Sequence, residues 1–322
     1  MKIDELDESQ GLTTEMVREW PGLLHTRKRH SHRREGPMNE PYQLLCADTF
    51  DAMRSIANCS CDALITDPPY CSGGLTAGDR KQHPVRKYEQ SGTRRVRPSF
   101  GGEQKDQRSW TAWTTEWLRM CHRALKDGAP IAVFIDWRQL PALTDAIQMA
   151  DFIWRGIAVW DKTEGARPVR GRPRNQCEFI VWGSKGAMPT GRSAPTIAGL
   201  HRQAVLQRDK HHLTGKPLST MEWLCQLAPE KGLILDPFAG SGTTGVAALL
   251  SGRRFLGIEI EESYQQIALK RLDAARAGKV LEARETRVGS LRIRYSISPA
   301  LPSGGSGASP PRPARRKSST PY

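Results

Sequence analysis

The 322-residue chain carries 48 lysines and arginines against 34 aspartates and glutamates, a formal charge of +14, with 38% hydrophobic residues. That content supports one large α/β core or two modest ones, and the basic surplus suits a polyanionic partner, because each phosphate neutralised by a cation releases counterions. No run of about 18 apolar residues occurs, which argues against a membrane-spanning helix.

Met1-Lys2-Ile3-Asp4-Glu5 opens no signal-peptide core, so a cytoplasmic protein is expected. The seven cysteines form no Cys-x-x-Cys pair, and His211-His212 has no matching second cluster. Free thiols and no metal site are expected.

Residues 1–40 are polar and carry the basic run Arg27-Lys28-Arg29-His30-Ser31-His32-Arg33-Arg34, which reads as an appended arm. From Tyr42 the pattern is α/β. Gln43 to Cys46 reads as a strand ending at Asp48, and Thr49 to Ala57 as a short helix with Phe50, Met53 and Ile56 at helical spacing. Ala63 to Thr66 is an apolar run of the kind buried on both faces of a parallel sheet.

Residues 71–108 form a long irregular stretch with nine lysines or arginines, Arg94, Arg95 and Arg97 among them. A loop of this length inside a domain is usually functional or disordered; here it reads as a mobile basic lid over nucleic acid. Ser109 is the expected N-cap of a helix through Leu125, with Trp113, Trp117 and Cys121 along one face. Strands are expected at 131–135, 153–160 and 179–182, and a helix at 140–149. Between Asp161 and Pro217 the pattern breaks up, with Arg167, Arg170, Arg172 and Arg174 set among glycines and prolines. Alternation resumes with a helix at 219–227, a strand at 233–235, a helix at 243–250, a strand at 255–258 and a helix at 263–277. Residues 291–297 alternate like a half-exposed strand, and the Pro/Ser/Gly-rich basic tail from Ser298 is expected to be disordered.

Two strand-end motifs carry the chemistry. Asp67-Pro68-Pro69-Tyr70 follows the apolar strand Ala63-Leu64-Ile65-Thr66. An exocyclic base amine is a poor nucleophile because its lone pair is delocalised into the ring. A carboxylate (Asp67) and a carbonyl fixed by prolines (Pro68) accepting its two N–H bonds favour a pyramidal nitrogen, and Tyr70 can stack on the base. Far downstream, Asp236-Pro237-Phe238-Ala239-Gly240-Ser241-Gly242-Thr243-Thr244 ends another strand. Its glycines admit close approach of a bound group, of the kind that wraps an adenosyl cofactor. It is neither a phosphate P-loop nor a dinucleotide Gly-x-Gly-x-x-Gly. Glu259, at the end of the next strand, suits the two hydroxyls of a ribose. Together the motifs point to methyl transfer to an exocyclic amine.

With these segments in this order, the chain resembles the β-class S-adenosylmethionine-dependent DNA amino-methyltransferases of bacteria and phages. The likeness extends to Trp160-Asp161-Lys162, to His212-Leu213-Thr214-Gly215-Lys216-Pro217 and to Gly252 through Glu259. The resemblance implies a Rossmann-like, doubly wound, mostly parallel sheet in which the substrate half precedes the cofactor half. Asp48 would meet the cofactor's adenine and Glu259 its ribose. Asp236, Phe238, Gly240, Ser241, Gly242 and Thr243 would form its turn, with Lys216 and Pro217 near its methionine end. Asp67, Pro68, Pro69 and Tyr70 would receive a flipped base, adenine being favoured by Asp at the first position.

The implied organisation is an arm over 1–40, a catalytic half over 41–160, a target-recognition region over 161–215, a cofactor half over 216–280, a strand segment over 281–297 and a tail over 298–322. Arg94, Arg95, Arg97, Arg167, Arg170, Arg172 and Arg174 would contact DNA. Double-stranded DNA, a homodimeric partner copy and a restriction endonuclease are the implied partners. Cytosine-N4, RNA or protein-amide methylation, and a catalytically silent DNA-binding relative, are the alternatives. The chain departs from the family where Leu213 stands in place of a frequent proline, and in the length of its basic loop.

Overall fold

The computed structural model describes residues 40–71, 105–166, 168–191, 194–205, 215–284 and 294–299. The catalytic half begins with β1 (Tyr42–Cys46), α1 (Thr49–Ser55) and β2 (Ala63–Thr66). Then come α2 (Gln107–Ala124), β3 (Pro130–Ile135), α3 (Leu140–Met149), β4 (Ile153–Asp161), β5 (Cys177–Ser184) and β6 (Leu200–Arg202). The second half supplies α4 (Leu218–Cys225), β7 (Leu233–Asp236), α5 (Thr243–Leu250), β8 (Arg254–Glu259) and α6 (Glu262–Arg276). A hairpin of β9 (Lys279–Arg284) and β10 (Arg294–Pro299) follows.

Eight strands form one sheet in the order β1-β8-β7-β2-β3-β5-β4-β6. All run parallel except β5, which is antiparallel to both β3 and β4. The central strands β2, β7 and β3 are buried throughout, as their unbroken apolar runs require. Alternation of side chains divides their contacts between two helical layers. Leu64, Ile131, Val133 and Leu235 pack in one core with residues of α1, α2 and α3. Ala63, Ile65, Phe134 and Ile234 pack in the other with α4, α5 and α6. The helices of the two halves of the chain therefore cover opposite faces of a single sheet.

From the sheet edge at β1 the chain crosses to β2, past β8 and β7. The seam between β7 and β2, joined through Ala63–Ile234 and Leu64–Leu235, is therefore the point where the winding reverses. In open α/β sheets ligands bind at the carboxyl ends of the strands at such a point.

Several elements differ from the sequence expectation. Asp106, not Ser109, caps α2: its carboxylate accepts from the Ser109 backbone N–H at 2.9 Å. The 161–215 stretch supplies β5, expected at 179–182, and also β6, which was not expected. The C-terminal strand runs to Pro299, so it takes in Ser298 and Pro299, and it pairs with β9, which was not anticipated. The arm over 1–39, most of the basic loop and the tail from 300 lie outside the described residues. No helix among the described residues is long and apolar enough to cross a membrane.

Candidate active site

At the seam, both strand-end motifs open on one cleft of about 330 Å³, within the range of small-molecule sites. Asp67, Pro68, Pro69 and Tyr70 line one side, and Asp236 through Ser241 with Glu259 line the other. The two sides are tied directly. Thr66, the last residue of β2, donates its hydroxyl to Asp236 Oδ1 at 2.7 Å. Asp236 also accepts from Thr244 Oγ1 at 2.6 Å and from the Phe238 N–H at 3.1 Å. Burial pushes the Asp236 carboxyl up to about 6 despite these donors. Its lone pairs thus serve the turn.

The cofactor side is built on conformational permission. Gly242 precedes α5 at φ +78°, and a Cβ there would lie 2.9 Å from the Ala268 Cβ. Gly240 has φ +52°, and its N–H donates to Glu259 at 2.8 Å. The other Glu259 oxygen accepts from the Glu261 N–H at 2.8 Å, and burial raises this carboxyl against those two donors. Ser241 and Thr243 line the cleft and are held from behind by α6. Buried Arg271, on α6, donates to the Ser241 carbonyl at 2.6 Å, to its hydroxyl at 3.2 Å and to Thr243 Oγ1 at 3.0 Å.

Asp48 caps α1 by accepting from the Phe50 N–H at 2.9 Å and also lines the cleft. Phe238 is wedged against Trp113 and Trp117, with ring centroids 5.4 and 5.1 Å away. Ile260, 60% exposed, adds apolar surface to the cleft wall. A backbone that tolerates close approach, a carboxylate with remaining acceptor capacity and flat apolar walls fit an adenosyl cofactor.

The substrate side is more tightly wired than the sequence indicated. Trp110 Nε1, on α2, donates to the Pro69 carbonyl at 2.8 Å, and Gln139 Nε2 donates to the Tyr70 carbonyl at 3.2 Å. Among the described residues no donor is bonded to the Pro68 carbonyl. Asp67 Oδ2 is paired with Lys216 Nζ at 2.6 Å, and Tyr70 donates its hydroxyl to Asp67 Oδ1 at 2.5 Å. Lys216 also lies 3.3 Å from Glu178 Oε2, and Lys162 lies 3.2 Å from Glu178 Oε1. Two carboxylates and two ammonium groups therefore alternate through the base of the site.

Burial raises the Asp67 carboxyl, with Lys216 opposing the rise. For Lys216 itself burial works against the charge, but Asp67 and Glu178 outweigh it and hold the ammonium above the ordinary lysine value. Glu178 is likewise disfavoured by burial yet held below the usual range by Lys216 and Lys162. Tyr70, buried beside Asp67 and Glu178, stays firmly protonated.

The structure thus gathers Asp67, Pro68, Pro69, Tyr70, Asp48, Lys216, Asp236, Phe238, Gly240, Ser241, Thr243 and Glu259 around one cleft. Pro217 stands at the N-terminus of α4, outside the lining. Arg170, Arg172 and Arg174 are exposed, and Arg174 is bonded to the Glu164 and Ala166 carbonyls. Arg94, Arg95, Arg97 and Arg167 lie outside the described residues. Glu178, Lys162, Arg271, Trp110 and Ile260 were missed; only Lys162 had a signal, in the Trp160-Asp161-Lys162 segment.

A doubly wound sheet whose reversal point carries a glycine turn on one strand and an Asp-Pro-Pro-Tyr segment on its neighbour fits the S-adenosylmethionine-dependent DNA methyltransferases. This chain belongs to the N6/N4 DNA methylase family, whose model matches residues 61–270. It is similar to the type II methyltransferase M2.DpnII of Streptococcus pneumoniae, 28% identical over 262 residues, spanning 74% of this chain and 94% of that protein. In fold it is similar to M1.HpyAVI, solved with S-adenosylmethionine, at a TM-score of 0.52 and 23% identity over 72% of this chain and 99% of that one. It is also similar to the cytosine-N4-specific PvuII DNA methyltransferase, at a TM-score of 0.52 and 14% identity over 71% and 86%.

Proposed function

We propose that the enzyme methylates the N6 amine of an adenine flipped out of double-stranded DNA. One observation carries the reading: Asp67 and Pro68, whose carbonyl takes no bond among the described residues, line the same cleft as the glycine turn, while the neighbouring Pro69 and Tyr70 carbonyls accept from Trp110 and Gln139. An amine with two N–H bonds finds two acceptors there, and the Asp at the head of the motif fits adenine in the family's pattern.

The Gly240–Gly242 turn and Glu259 would hold S-adenosylmethionine, which would supply the methyl group from its sulfonium. Asp67 and Pro68 accept the amine hydrogens, draw the lone pair out of conjugation and stabilise the positive charge that develops on nitrogen. Asp67, its carboxyl raised by burial, is placed to take the proton that the nitrogen then releases. Tyr70 offers a ring for stacking, which offsets part of the few kcal/mol of unstacking that extrusion costs.

Incubation with tritium-methyl S-adenosylmethionine and unmethylated plasmid duplex, followed by digestion to nucleosides, tests the reading. Label in N6-methyl-2′-deoxyadenosine is expected; label in N4-methyl-2′-deoxycytidine overturns it.

Target recognition by 161–215, with Arg170 and Arg172 on DNA, belongs to the same proposal, as does a homodimer acting in the cytoplasm. Exposed Ile153, Trp154 and Ile157 of β4 and Leu200 of β6 support the dimer, since they leave apolar surface open toward the end of the sheet where β6 covers only Val159 to Asp161 of β4. Sedimentation at micromolar concentration checks it, with a species of twice the chain mass expected. Likeness to a type II methyltransferase supports a restriction endonuclease that reads the same site.

A further inference from the structure

In the structure both oxygens of the Asp67 carboxylate are engaged by the protein itself, Oδ2 by Lys216 and Oδ1 by the Tyr70 hydroxyl. A carboxylate bound to an ammonium group at 2.6 Å has given up part of its charge and is a weak acceptor for a third donor. The two blocking donors share a second acceptor. Glu178 Oε2 lies 3.3 Å from Lys216 Nζ and 3.4 Å from the Tyr70 hydroxyl. Both distances exceed those of a well-formed charge-assisted bond, so a shift of under about 1 Å completes either of them.

Glu178 is suited to this part. It sits on β5, opposite Trp160 of β4, in the regular ladder of the sheet. Lys216 and then Lys162 hold the carboxylate ionised against burial, and Lys162 does so through Oε1, at 3.2 Å, without using Oε2. The Lys216 ammonium also lies 5.3 Å from the Tyr70 ring centre and 5.1 Å from that of Phe134, so aromatic faces flank it beside both carboxylates.

We infer that Glu178 is a positioning residue that receives Lys216 and Tyr70 when the target amine takes their place on Asp67. The inference rests on the reading of Asp67 as acceptor of the amine. The exchange restores full negative charge to Asp67 at the step where the attacking nitrogen becomes positive, so its benefit falls on the transition state rather than on binding. The total charge of the site does not change, since Lys216 passes from one carboxylate to the other.

The test uses the full chain with unmethylated plasmid duplex and tritium-methyl S-adenosylmethionine under single-turnover conditions. Glu178→Gln is expected to slow methyl transfer by about 10²-fold, with DNA and cofactor dissociation constants within about twofold of wild type, because only the transition-state term is touched. Glu178→Asp, charged but one methylene short, is expected to fall between the two. A wild-type transfer rate in Glu178→Gln overturns the inference, and so does a slowed rate that comes entirely with weakened cofactor or DNA binding. Should Glu178→Gln not unfold cooperatively, Glu178→Asp decides alone: slowed transfer supports the inference and a wild-type rate overturns it. Undiminished transfer by Asp67→Ala is a separate failure, since it removes the reading of Asp67 on which the inference stands.

Discussion

Lys216 Nζ lies 2.6 Å from Asp67 Oδ2, a pair formed across 149 residues of sequence at the floor of the cleft. Lys216 is 6% exposed and Asp67 22%, so the pair is screened by the protein rather than by solvent. Removing the ammonium leaves Asp67 and Glu178 facing each other without a cation between them. Lys216→Met is therefore expected to lower unfolding free energy by about 3 kcal/mol or more, read from denaturant midpoints, and to depress methyl transfer with it.

Asp67→Asn keeps the shape of the side chain and one acceptor oxygen but loses the charge. Methyl transfer is expected to fall by about 10²–10³-fold. Cofactor affinity, measured by calorimetry without DNA, is expected to hold, since the glycine turn and Glu259 are untouched.

The turn itself is sensitive to a single methyl group. Gly242→Ala places a Cβ at φ +78° and 2.9 Å from Ala268 Cβ. Backbone strain of about 1–2 kcal/mol and displacement of α6 are expected to lower the melting temperature and weaken S-adenosylmethionine binding together. Thermal scans with and without the cofactor check both.

Asp236 gives stability a defined pH dependence. Its carboxyl is pushed up to about 6 from an ordinary value of 3.8, so the folded state binds a proton that the unfolded state has released between those values. Its contribution to stability is fully present below pH 3.8 and is lost as pH rises through 6. At about 1.4 kcal/mol per unit the loss approaches 3 kcal/mol. The stability difference between wild type and Asp236→Asn is expected to shift against wild type by that amount between pH 4 and 7, in parallel denaturation series.

Arg170 and Arg172 are exposed and form no ion pair among the described residues, whereas Arg174 holds its own loop through the Glu164 and Ala166 carbonyls. Replacing Arg170 and Arg172 with alanine is expected to lower the slope of log K against log salt by about 0.9 per lost phosphate contact, about 2 in all. Filter binding at several salt concentrations measures it.

The central strands were legible because β2 and β7 are short apolar runs, β7 closing on Asp236 and β2 followed at once by Asp67. The Gly240–Gly242 turn was legible because positive φ leaves few other residues to use. Ser109 misled as a cap because a serine there both offers a hydroxyl and donates its N–H, and the structure uses the N–H toward Asp106. Leu200-His201-Arg202 has no strand pattern of its own and becomes β6 only by pairing with Val159 to Asp161. Glu178 was invisible for the same reason as the Lys216–Asp67 pair. Its partners come from the segments after β2 and β4 and the segment before α4, and nothing adjacent in sequence marks it.

The bond from Thr66 to Asp236 carries a consequence for how such a chain is read. It joins residues 170 positions apart, and it joins strand ends rather than loops. Which half is synthesised first makes no difference to it, and neither does the path that connects them. The sheet needs only that an acceptor-bearing strand and a glycine-bearing strand lie side by side, pointing the same way. Gene rearrangements that exchange the two halves would leave this bond, and the chemistry beside it, unaltered.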